Sequence, residues 1–214
     1  NSASAIQKCD DKALTWLSLR KHQEIALPET ILAPKTFSNI GYPNTDFLDS
    51  IAAQLGFPVI VKECFGSFGQ QVYLAKDIAE LKTMVQSLQT TSILFQKPVM
   101  ESMGRGVRIN VVWERVVASI LRRSDNGDFR SNLTLGGSME VYEPTAEEAQ
   151  LAIRTVKALG LDFAGVDVLF GKDGPVLCEV NSNAHFKTTL ECMGVNMAEE
   201  IMHHIRNCME RVKS

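Results

Sequence analysis

The sequence predicts an α+β fold in which mainly antiparallel strands form two lobes. Short apolar strands recur in neighbouring pairs that are joined by tight turns, as in hairpins. Segments with apolar residues at helical spacing lie before and after these pairs. The 214 residues are 45% hydrophobic and 22% charged, which is an ordinary globular composition and is enough for one large domain or two small lobes.

The first half is predicted to alternate helices with short strands. Asp10 or Asp11 is expected to cap the leading helix, Asp77 begins a later helix, and Gly56 ends one. The predicted elements are, in order, a helix in NSASAIQKCDDKALTWLSLRKH, a strand at ETILA, a loop at PKTFSNIGYPNT, a helix at DFLDSIAAQLG, strands at FPVIVKECF and QVYLA around the turn GSFGQ, a helix at DIAELKTMVQSLQ and a strand at SILFQKPV.

The second half is predicted to contain two further hairpins and two helices. Thr145 and Glu148 form a capping box, and Gly160 ends that helix. The predicted elements are strands at VRINVVW and RVVASILRR, a polar loop at DNGDFRSNLTLGGS, a helix at TAEEAQLAIRTVKALG, strands at DFAGVDVLF and PVLCEVN around the turn GKDG, and a final helix at NMAEEIMHHIRNCMERV. The boundary between the two lobes is expected near Pro98 to Gly106. The first predicted lobe is residues 1–98, including the leading helix, and the second is residues 99–214.

Charge and cysteine content narrow the class of protein. A formal net charge of -3 gives no overall attraction to nucleic acid or to anionic membrane, so neither is expected as a partner. No apolar run approaches the length of a membrane span, and no signal peptide is visible. The cysteines number five with no CxxC pair, and Cys64 and Cys178 lie in apolar strands, so reduced thiols and a cytoplasmic location are expected. The early helix suggests that a preceding domain has been left out.

The polar end of one strand is the first sign of chemistry. In VLCEVNSNAHF, strand alternation predicts that Glu179 and Asn181 share one face while Cys178 and Val180 share the other. Asp167 lies in the partner strand of the same hairpin. Two carboxylates and an amide oxygen are ligands that Mg²⁺ accepts. Ordinary salt bridges or turn hydrogen bonds are the alternative explanation.

A phosphate site is predicted elsewhere in the chain. Lys62 ends the apolar run VIVKE, where a buried lysine needs an anion. Gly66, Ser67 and Gly69 follow in GSFGQQ and can present backbone N–H groups to phosphate oxygens. The spacing is not that of a P-loop, and the next element is a strand. A plain hairpin turn remains the alternative, and Lys12 is either a second phosphate ligand or a solvated side chain.

Arginines are the third group of candidate site residues, after the metal ligands and the phosphate site. Arg108, Arg122 and Arg130 lie on the second-half hairpin and the loop after it, and guanidinium groups bind carboxylate and phosphate through paired hydrogen bonds. Alternation sends Arg122 and Arg123 to opposite faces, so at most one of them faces the site. No serine lies in GxSxG and no cysteine has an obvious histidine partner, so a covalent acyl-enzyme is not supported.

Taken in order, these motifs resemble the ATP-grasp superfamily, and most of all its RimK-type ligases, over nearly all of the chain from DDKALTWL onward. The segments that carry the resemblance are FPVIVKECFGSFGQQVYLA, ILFQKPV, GRGVRINVVWERVVASILRRS, GDFRSNLTLGGS, GLDFAGVDVLF and PVLCEVNSNAHF. The resemblance implies an ATP-grasp fold, with two α+β lobes that clasp a nucleotide. It also implies a preceding α/β domain that is absent from this sequence.

The resemblance implies a role for each matching position. The arginines Arg108, Arg122 and Arg130 are expected in catalysis, and Asp167, Glu179 and Asn181 as ligands of Mg²⁺ or Mn²⁺. The remaining positions are expected to bind ATP: Lys12, Lys62, Gly66, Ser67, Phe68, Gly69, Gln96, Lys97, Pro98, Arg130, Ser131 and Asn132.

This sequence departs from the family pattern at three places. The hinge reads QKP where relatives usually have Gln-Glu and an aromatic residue, which puts an adenine contact through a carboxylate in doubt. Gly106 stands where an acidic residue is common. The segment SNAHF replaces the usual Ser/Ala-Ser-Pro-Gly on the acceptor side, so the specificity for the acceptor is expected to differ.

The resemblance implies a carboxylate–amine ligase that works through an acyl phosphate. ATP, a small-molecule or peptide carboxylate and an amino acid such as glutamate are the expected partners, and a homo-oligomer is left open. Two alternatives stay open as well, an ATP-grasp phosphotransferase and an ATP-binding or regulatory domain without ligase activity. Formation of an amide with stoichiometric ADP separates the ligase from the phosphotransferase, and ATP binding without hydrolysis would indicate the regulatory domain.

Overall fold

The computed structural model describes residues 1–67, 69–131 and 136–213, with the side chains of residues 211–213 left out. Phe68 and Asn132, both predicted to bind nucleotide, lie outside the described residues. The described helices are α1 (Ala3–Asp10), α2 (Lys12–Leu19), α3 (Phe47–Leu55), α4 (Ile78–Ser87), α5 (Ala146–Leu159), α6 (Lys187–Met193) and α7 (Met197–Lys213). The described strands are β1 (Thr30–Leu32), β2 (Val59–Glu63), β3 (Val72–Ala75), β4 (Ile93–Gln96), β5 (Arg105–Val112), β6 (Arg115–Ser124), β7 (Gly137–Val141), β8 (Phe163–Gly171) and β9 (Gly174–Asn181).

The first sheet has the strand order β1-β4-β2-β3 in the described chain, and all of its pairings are antiparallel. Alternate residues of β2 bury one face, with Val59 and Val61 fully enclosed. Leu48 and Ile51 of α3 and Leu81 of α4 pack in the same core. The predicted hairpin of β2 and β3 is confirmed, and it leaves Lys62 beside the turn that joins the strands.

The second sheet has the order β7-β6-β5-β8-β9 over the described residues and is also antiparallel throughout. Helix α5 packs on it with a mainly apolar stripe at helical spacing, in which Thr155 is also buried. The predicted capping box of Thr145 and Glu148 is confirmed, and Gly160 ends the helix in the left-handed conformation at φ +74°. This packing fixes β8 and β9, the strands that carry the acidic residues.

The leading helices contact the second core. Ala5, Cys9, Leu19 and Ile25 are buried together with residues of α5, β8 and β9. The prediction had grouped the leading helix with the first lobe, but apolar helix faces of this kind fit either sheet, and the sequence does not say which one they cover. The boundary at residue 98 itself stays a prediction.

Two described elements were not predicted. Strand β7 is an edge strand with a mostly exposed sequence, GSMEV, so it shows neither an apolar run nor alternation. Helix α6 has 7 residues and no side-chain cap, and so gives no start signal. In the described part of the chain no helix has both the length and the hydrophobicity that crossing a membrane requires. The cysteines, all of them described, are free.

Candidate nucleotide and metal site

A cleft between the two sheets holds about 1020 Å³ of empty space, counted with the open solvent at its mouth. Most of the predicted site residues line it, namely Lys12, Lys62, Gly66, Ser67, Gly69, Gln96, Lys97, Arg122, Arg130, Ser131, Asp167 and Glu179. Arg108 and Asn181 line a second cavity, which shares Gly66, Arg122, Asp167 and Glu179 with the cleft. Pro98 is buried and lines neither. The fold therefore brings together in the cleft residues that are far apart in the sequence, such as Lys12 and Glu179.

The acidic end of the cleft is built by the hairpin of β8 and β9. Asp167 is the direct cross-strand partner of Glu179, and Gly165 is the partner of Asn181. The Asn181 amide lies with Nδ2 3.5 Å from Asp167 Oδ2. The predicted grouping of two carboxylates and an amide is thus present as a contiguous patch on one hairpin.

A β-bulge changes which side chains share that patch. Asp167 pairs with Glu179, but the next residue, Val168, pairs with Leu177, so Cys178 is an extra residue in β9. Cys178 and Glu179 both line the cleft. The expectation that Cys178 faces away from Glu179 was wrong, because strict alternation does not survive a bulge. Burial raises the pKa of the Cys178 thiol and keeps it neutral.

Arg108 on β5 clamps the Asp167 carboxylate. Its Nε donates to Oδ1 at 2.5 Å and its Nη2 to Oδ2 at 2.6 Å, which is a bidentate pair. Burial works against both charges, but the nearby guanidinium groups outweigh it and lower the pKa of Asp167. Gly165 leaves room for this clamp, because a Cβ there would lie 2.9 Å from Arg108 Nη1. The carboxylate is therefore held ionised and fixed in direction.

Arg122 on β6 stands where the cleft meets the second cavity. Its Nη1 lies 3.5 Å from Asp167 Oδ1, and its buried Nε has no hydrogen-bond partner within the described residues. Burial and the neighbouring Arg108 lower the pKa of Arg122 to about 10, so it is still charged at neutral pH. Arg123 faces the other way and pairs with Glu140 at 3.0 Å, as alternation predicts. A buried cation with an unused donor suits an anionic ligand.

Lys62 faces the cleft from the first sheet. It is 8% exposed, and its ammonium makes no salt bridge or hydrogen bond in the part of the chain that the structure describes, although its charge helps to lower the pKa of Asp167. Buried lysines are almost always paired, because losing water costs a charged group more than packing returns. An anion in the cleft is therefore the natural partner of this side chain.

Lys12 approaches the cleft from the first turn of α2. Asp11 caps that helix by accepting from the N–H groups of Ala13 and Leu14 at 2.8 and 3.3 Å. Of the two predicted caps, Asp10 and Asp11, the structure has Asp11. The Lys12 backbone N–H donates to Cys64 O at 2.9 Å. Its Nζ donates to Gly66 O at 2.9 Å and lies 3.8 Å from Glu179 Oε1. Lys12 thus bridges the glycine turn and the acidic patch.

The turn between β2 and β3 requires glycine at one position in particular. Gly66 has φ +132°, and a Cβ there would lie 2.4 Å from the Gln71 side chain. Arg130, predicted to contact ligand, donates from Nη1 to Gly69 O at 2.7 Å. This arginine contacts the turn across the cleft, which the sequence did not indicate.

The hinge after β4 already uses several of its hydrogen-bonding groups within the protein. The backbone N–H of Lys97 already donates to Glu29 O at 2.9 Å, and Pro98 has no N–H to offer. The Gln96 amide donates to Thr30 Oγ1 at 2.9 Å. Sequence reasoning also missed the mostly apolar residues that complete this end of the cleft, since no spacing or motif marks them: Val99, Ser102, Met103, Phe129, Val168 and Leu169. The flat face of an aromatic ring, such as that of a nucleobase, fits such a lining.

The acidic patch fits a magnesium ion shared with a ligand better than one held by protein alone. Within the described ranges no group of three or more His, Cys, Asp or Glu side chains could hold a metal ion. Asp167, Glu179 and Asn181 supply hard oxygen atoms, and Asp167 is at the same time held by Arg108. Mg²⁺ commonly takes one or two carboxylates and completes its shell with phosphate and water. The donor set therefore fits Mg²⁺, or Mn²⁺, alongside a bound phosphate.

The two sheets, with a cleft of cationic, glycine-rich and acidic walls between them, form an ATP-grasp fold. The chain belongs to the RimK-like ATP-grasp domain family, whose family model matches residues 9–205. This agrees with the resemblance that the sequence motifs carry.

Three known proteins illustrate the similarity. An uncharacterized protein of Mycoplasma pneumoniae is 36% identical over 208 residues, which is 96% of this chain and 72% of that protein. A protein of Shewanella baltica named "Probable alpha-L-glutamate ligase 2" is 35% identical over 216 residues, which is 100% of this chain and 69% of that protein. The solved structure of the ATP-grasp ligase PsnB with a precursor variant, Mg and ADP has a TM-score of 0.71 at 20% identity, and the match covers 95% of this chain but 61% of that one. At this identity the structural match shows the fold alone.

Proposed function

We propose that this chain is the nucleotide-binding and catalytic part of an ATP-dependent carboxylate–amine ligase. The observation that carries the proposal is Lys62, a buried cation that shares one cleft with the acidic patch of Asp167 and Glu179 and has no hydrogen bond or salt bridge among the described residues. A triphosphate with its metal ion supplies the anion that Lys62 lacks and the ligands that the patch lacks. The Shewanella relative named as a probable glutamate ligase supports the reaction class, and the PsnB complex supports the use of ATP and Mg²⁺.

In this proposal the chain acts by positioning and electrostatics. Lys62 and Lys12 bind phosphate oxygens, and the glycine turn offers further N–H groups near Gly66 and Gly69. When bound, Mg²⁺ supplies positive charge to the transferring phosphoryl group. Arg122, whose Nε has no hydrogen-bond partner among the described residues, holds the anionic end of the carboxylate substrate as it becomes an acyl phosphate. No side chain acts as a nucleophile.

The second cavity is the proposed place of the carboxylate and the amine. It adjoins the cleft through Arg122, Asp167 and Glu179, so an acceptor there lies next to the phosphates. Its outer wall includes Asp10 and His185. Glutamate or a similar amino acid is the proposed amine, supported by the printed name of the Shewanella relative. A division into lobes near residue 98, a cytoplasmic location and a homo-oligomer belong to the same proposal.

The proposal is tested with the full-length protein, Mg-ATP, glutamate and a panel of carboxylates. ADP and phosphate are followed by a coupled assay, and amide products by mass spectrometry. We expect one ADP for each amide bond. Arg122→Gln is expected to abolish turnover, whereas Arg123→Gln, on the opposite face of β6, is expected to leave it unchanged. A phosphorylated product without amide, or bound ATP without turnover on any acceptor, would contradict the ligase.

A further inference from the structure

Asp128, in the segment between β6 and β7, fixes the guanidinium of Arg130. Asp128 Oδ1 accepts from Arg130 Nε at 3.0 Å, and Oδ2 accepts from Nη2 at 2.7 Å. The backbone N–H of Arg130 also donates to Asp128 Oδ1 at 2.8 Å. A guanidinium is planar and rigid, so fixing two of its nitrogens fixes the direction of the third. Asp128 therefore decides where Arg130 Nη1 points.

Arg130 Nη1 points across the cleft to the turn between β2 and β3. It donates to Gly69 O at 2.7 Å and to Val72 O at 3.3 Å. These carbonyl groups belong to the first sheet side of the cleft, whereas Asp128 and Arg130 lie on the second. Since Gly69 and Arg130 both line the cleft, the contact sets how closely the turn approaches a bound nucleotide.

The pair of Asp128 and Arg130 is stable in its charged form. Both side chains are 22% exposed, and Asp128 is the carboxylate within salt-bridge distance of Arg130 among the residues that the structure describes. Hydrogen bonds from Arg130 lower the pKa of Asp128, so the carboxylate is ionised at neutral pH. With Nε, Nη1 and Nη2 each donating to protein oxygens, Arg130 is better placed to hold the turn than to hold a phosphate.

We propose that Asp128 is a positioning residue, which acts through Arg130 to hold the Gly69 turn against the nucleotide cleft. The tie itself requires no ligand, and only its consequence for ATP rests on the proposed function. Loss of Asp128 leaves Arg130 free to turn away, and the turn then loses a charge-assisted hydrogen bond from the opposite lobe. The first sign is faster local opening of the turn, and the second is weaker nucleotide binding.

The test is hydrogen exchange of the full chain without nucleotide, read on peptides that cover the turn between β2 and β3. Asp128→Ala is expected to speed exchange there about tenfold, the usual scale for one charge-assisted hydrogen bond. Asp125→Ala is the matched control, because Asp125 lies three positions away and accepts from Ser138 Oγ instead. Asp128→Glu is expected to restore much of the protection, and Arg130→Lys to lose it.

The second readout is the Kd for Mg-ATP. We expect Asp128→Ala to raise it about tenfold and Asp125→Ala to leave it unchanged. Unchanged exchange of the turn in both Asp128→Ala and Arg130→Lys would overturn the inference. Should the wild-type protein bind no ATP, the proposed function fails, while the exchange experiment still decides on the tie between Asp128 and the turn.

Discussion

At the scale of single residues, the central feature is Lys62, a buried lysine whose ammonium makes no hydrogen bond or salt bridge within the described residues. Lys62 lies at the end of an apolar strand and faces an open cleft. Burying a charge in this position costs the folded protein free energy, and in the proposed function ligand binding offsets that cost. Function and stability are therefore expected to respond in opposite directions when Lys62 is replaced.

Lys62→Met keeps a long unbranched side chain and removes the charge. We expect the Kd for Mg-ATP to rise about 10- to 100-fold, since one or two charge-assisted hydrogen bonds are lost. The melting temperature is expected to stay the same or rise. Lys76→Met, an exposed lysine directly after β3, is the control and is expected to change neither quantity. A large loss of stability with normal ATP affinity would show that Lys62 is a structural residue.

Residues of this site were predictable from the sequence where a charged side chain interrupts an otherwise apolar strand. Lys62, Asp167 and Glu179 each interrupt an apolar strand, and this mismatch is readable from the sequence. Cys178 was misplaced because a bulge depends on pairing with β8, which a single strand does not reveal. Asp128 and Arg130 are two positions apart, so their contact can be inferred from the sequence. The carbonyl groups to which Arg130 donates are about 60 positions away, and the sequence does not indicate that contact.

At the scale of elements, the junction between α1 and α2 positions Lys12. Asp11 ends one helix and caps the next, so the backbone N–H of Lys12 is free to bond Cys64 O. The cap thus anchors the second cleft lysine to the first sheet. Losing the cap should affect both the helix and the site.

Asp11→Ala is expected to cost about 1 kcal/mol in the free energy of unfolding, the usual value of an N-cap. Its Kd for Mg-ATP is expected to rise several-fold, because Lys12 loses its anchor. Asp77→Ala is the matched control, since Asp77 makes the same cap on α4 at 2.9 Å to Ala79 and Glu80. It should lose similar stability by urea unfolding and keep its ATP affinity. Equal affinity losses in both variants would contradict a specific role for Asp11.

Helices were predictable where the spacing of apolar residues and the capping residues indicate the same element. Helix α5 has an apolar stripe, a capping box and a terminal Gly160, and it was predicted with its true ends. Strand β7 and helix α6 were missed because their stability comes from neighbouring elements. Strand β7 pairs with β6, and helix α6 packs against β6 and β7. Tertiary packing decides short elements of this kind.

At the scale of the whole molecule, the cleft joins groups from both sheets. Lys12 contacts Gly66 and approaches Glu179, and Arg130 contacts Gly69, so cationic side chains tie the glycine turn to the opposite wall. Through the family pattern, the sequence predicted many of the residues that line the cleft, and their binding of a nucleotide stays a prediction. It did not predict that the leading helices cover the second core, because nothing in an apolar helix face specifies its partner.

The metal-bound nucleotide proposed for the cleft is best tested by calorimetric titration of ATP with and without Mg²⁺, on the wild-type chain and on Glu179→Gln. We predict Mg-dependent binding by the wild type and loss of the Mg-dependent gain in the variant, because Glu179 supplies one of the two carboxylates of the acidic patch. Glu140→Gln, an exposed glutamate paired with Arg123, is the control and should bind as the wild type does. Full Mg-dependent binding by Glu179→Gln would contradict the assignment of the metal site, and with it the account of the cleft.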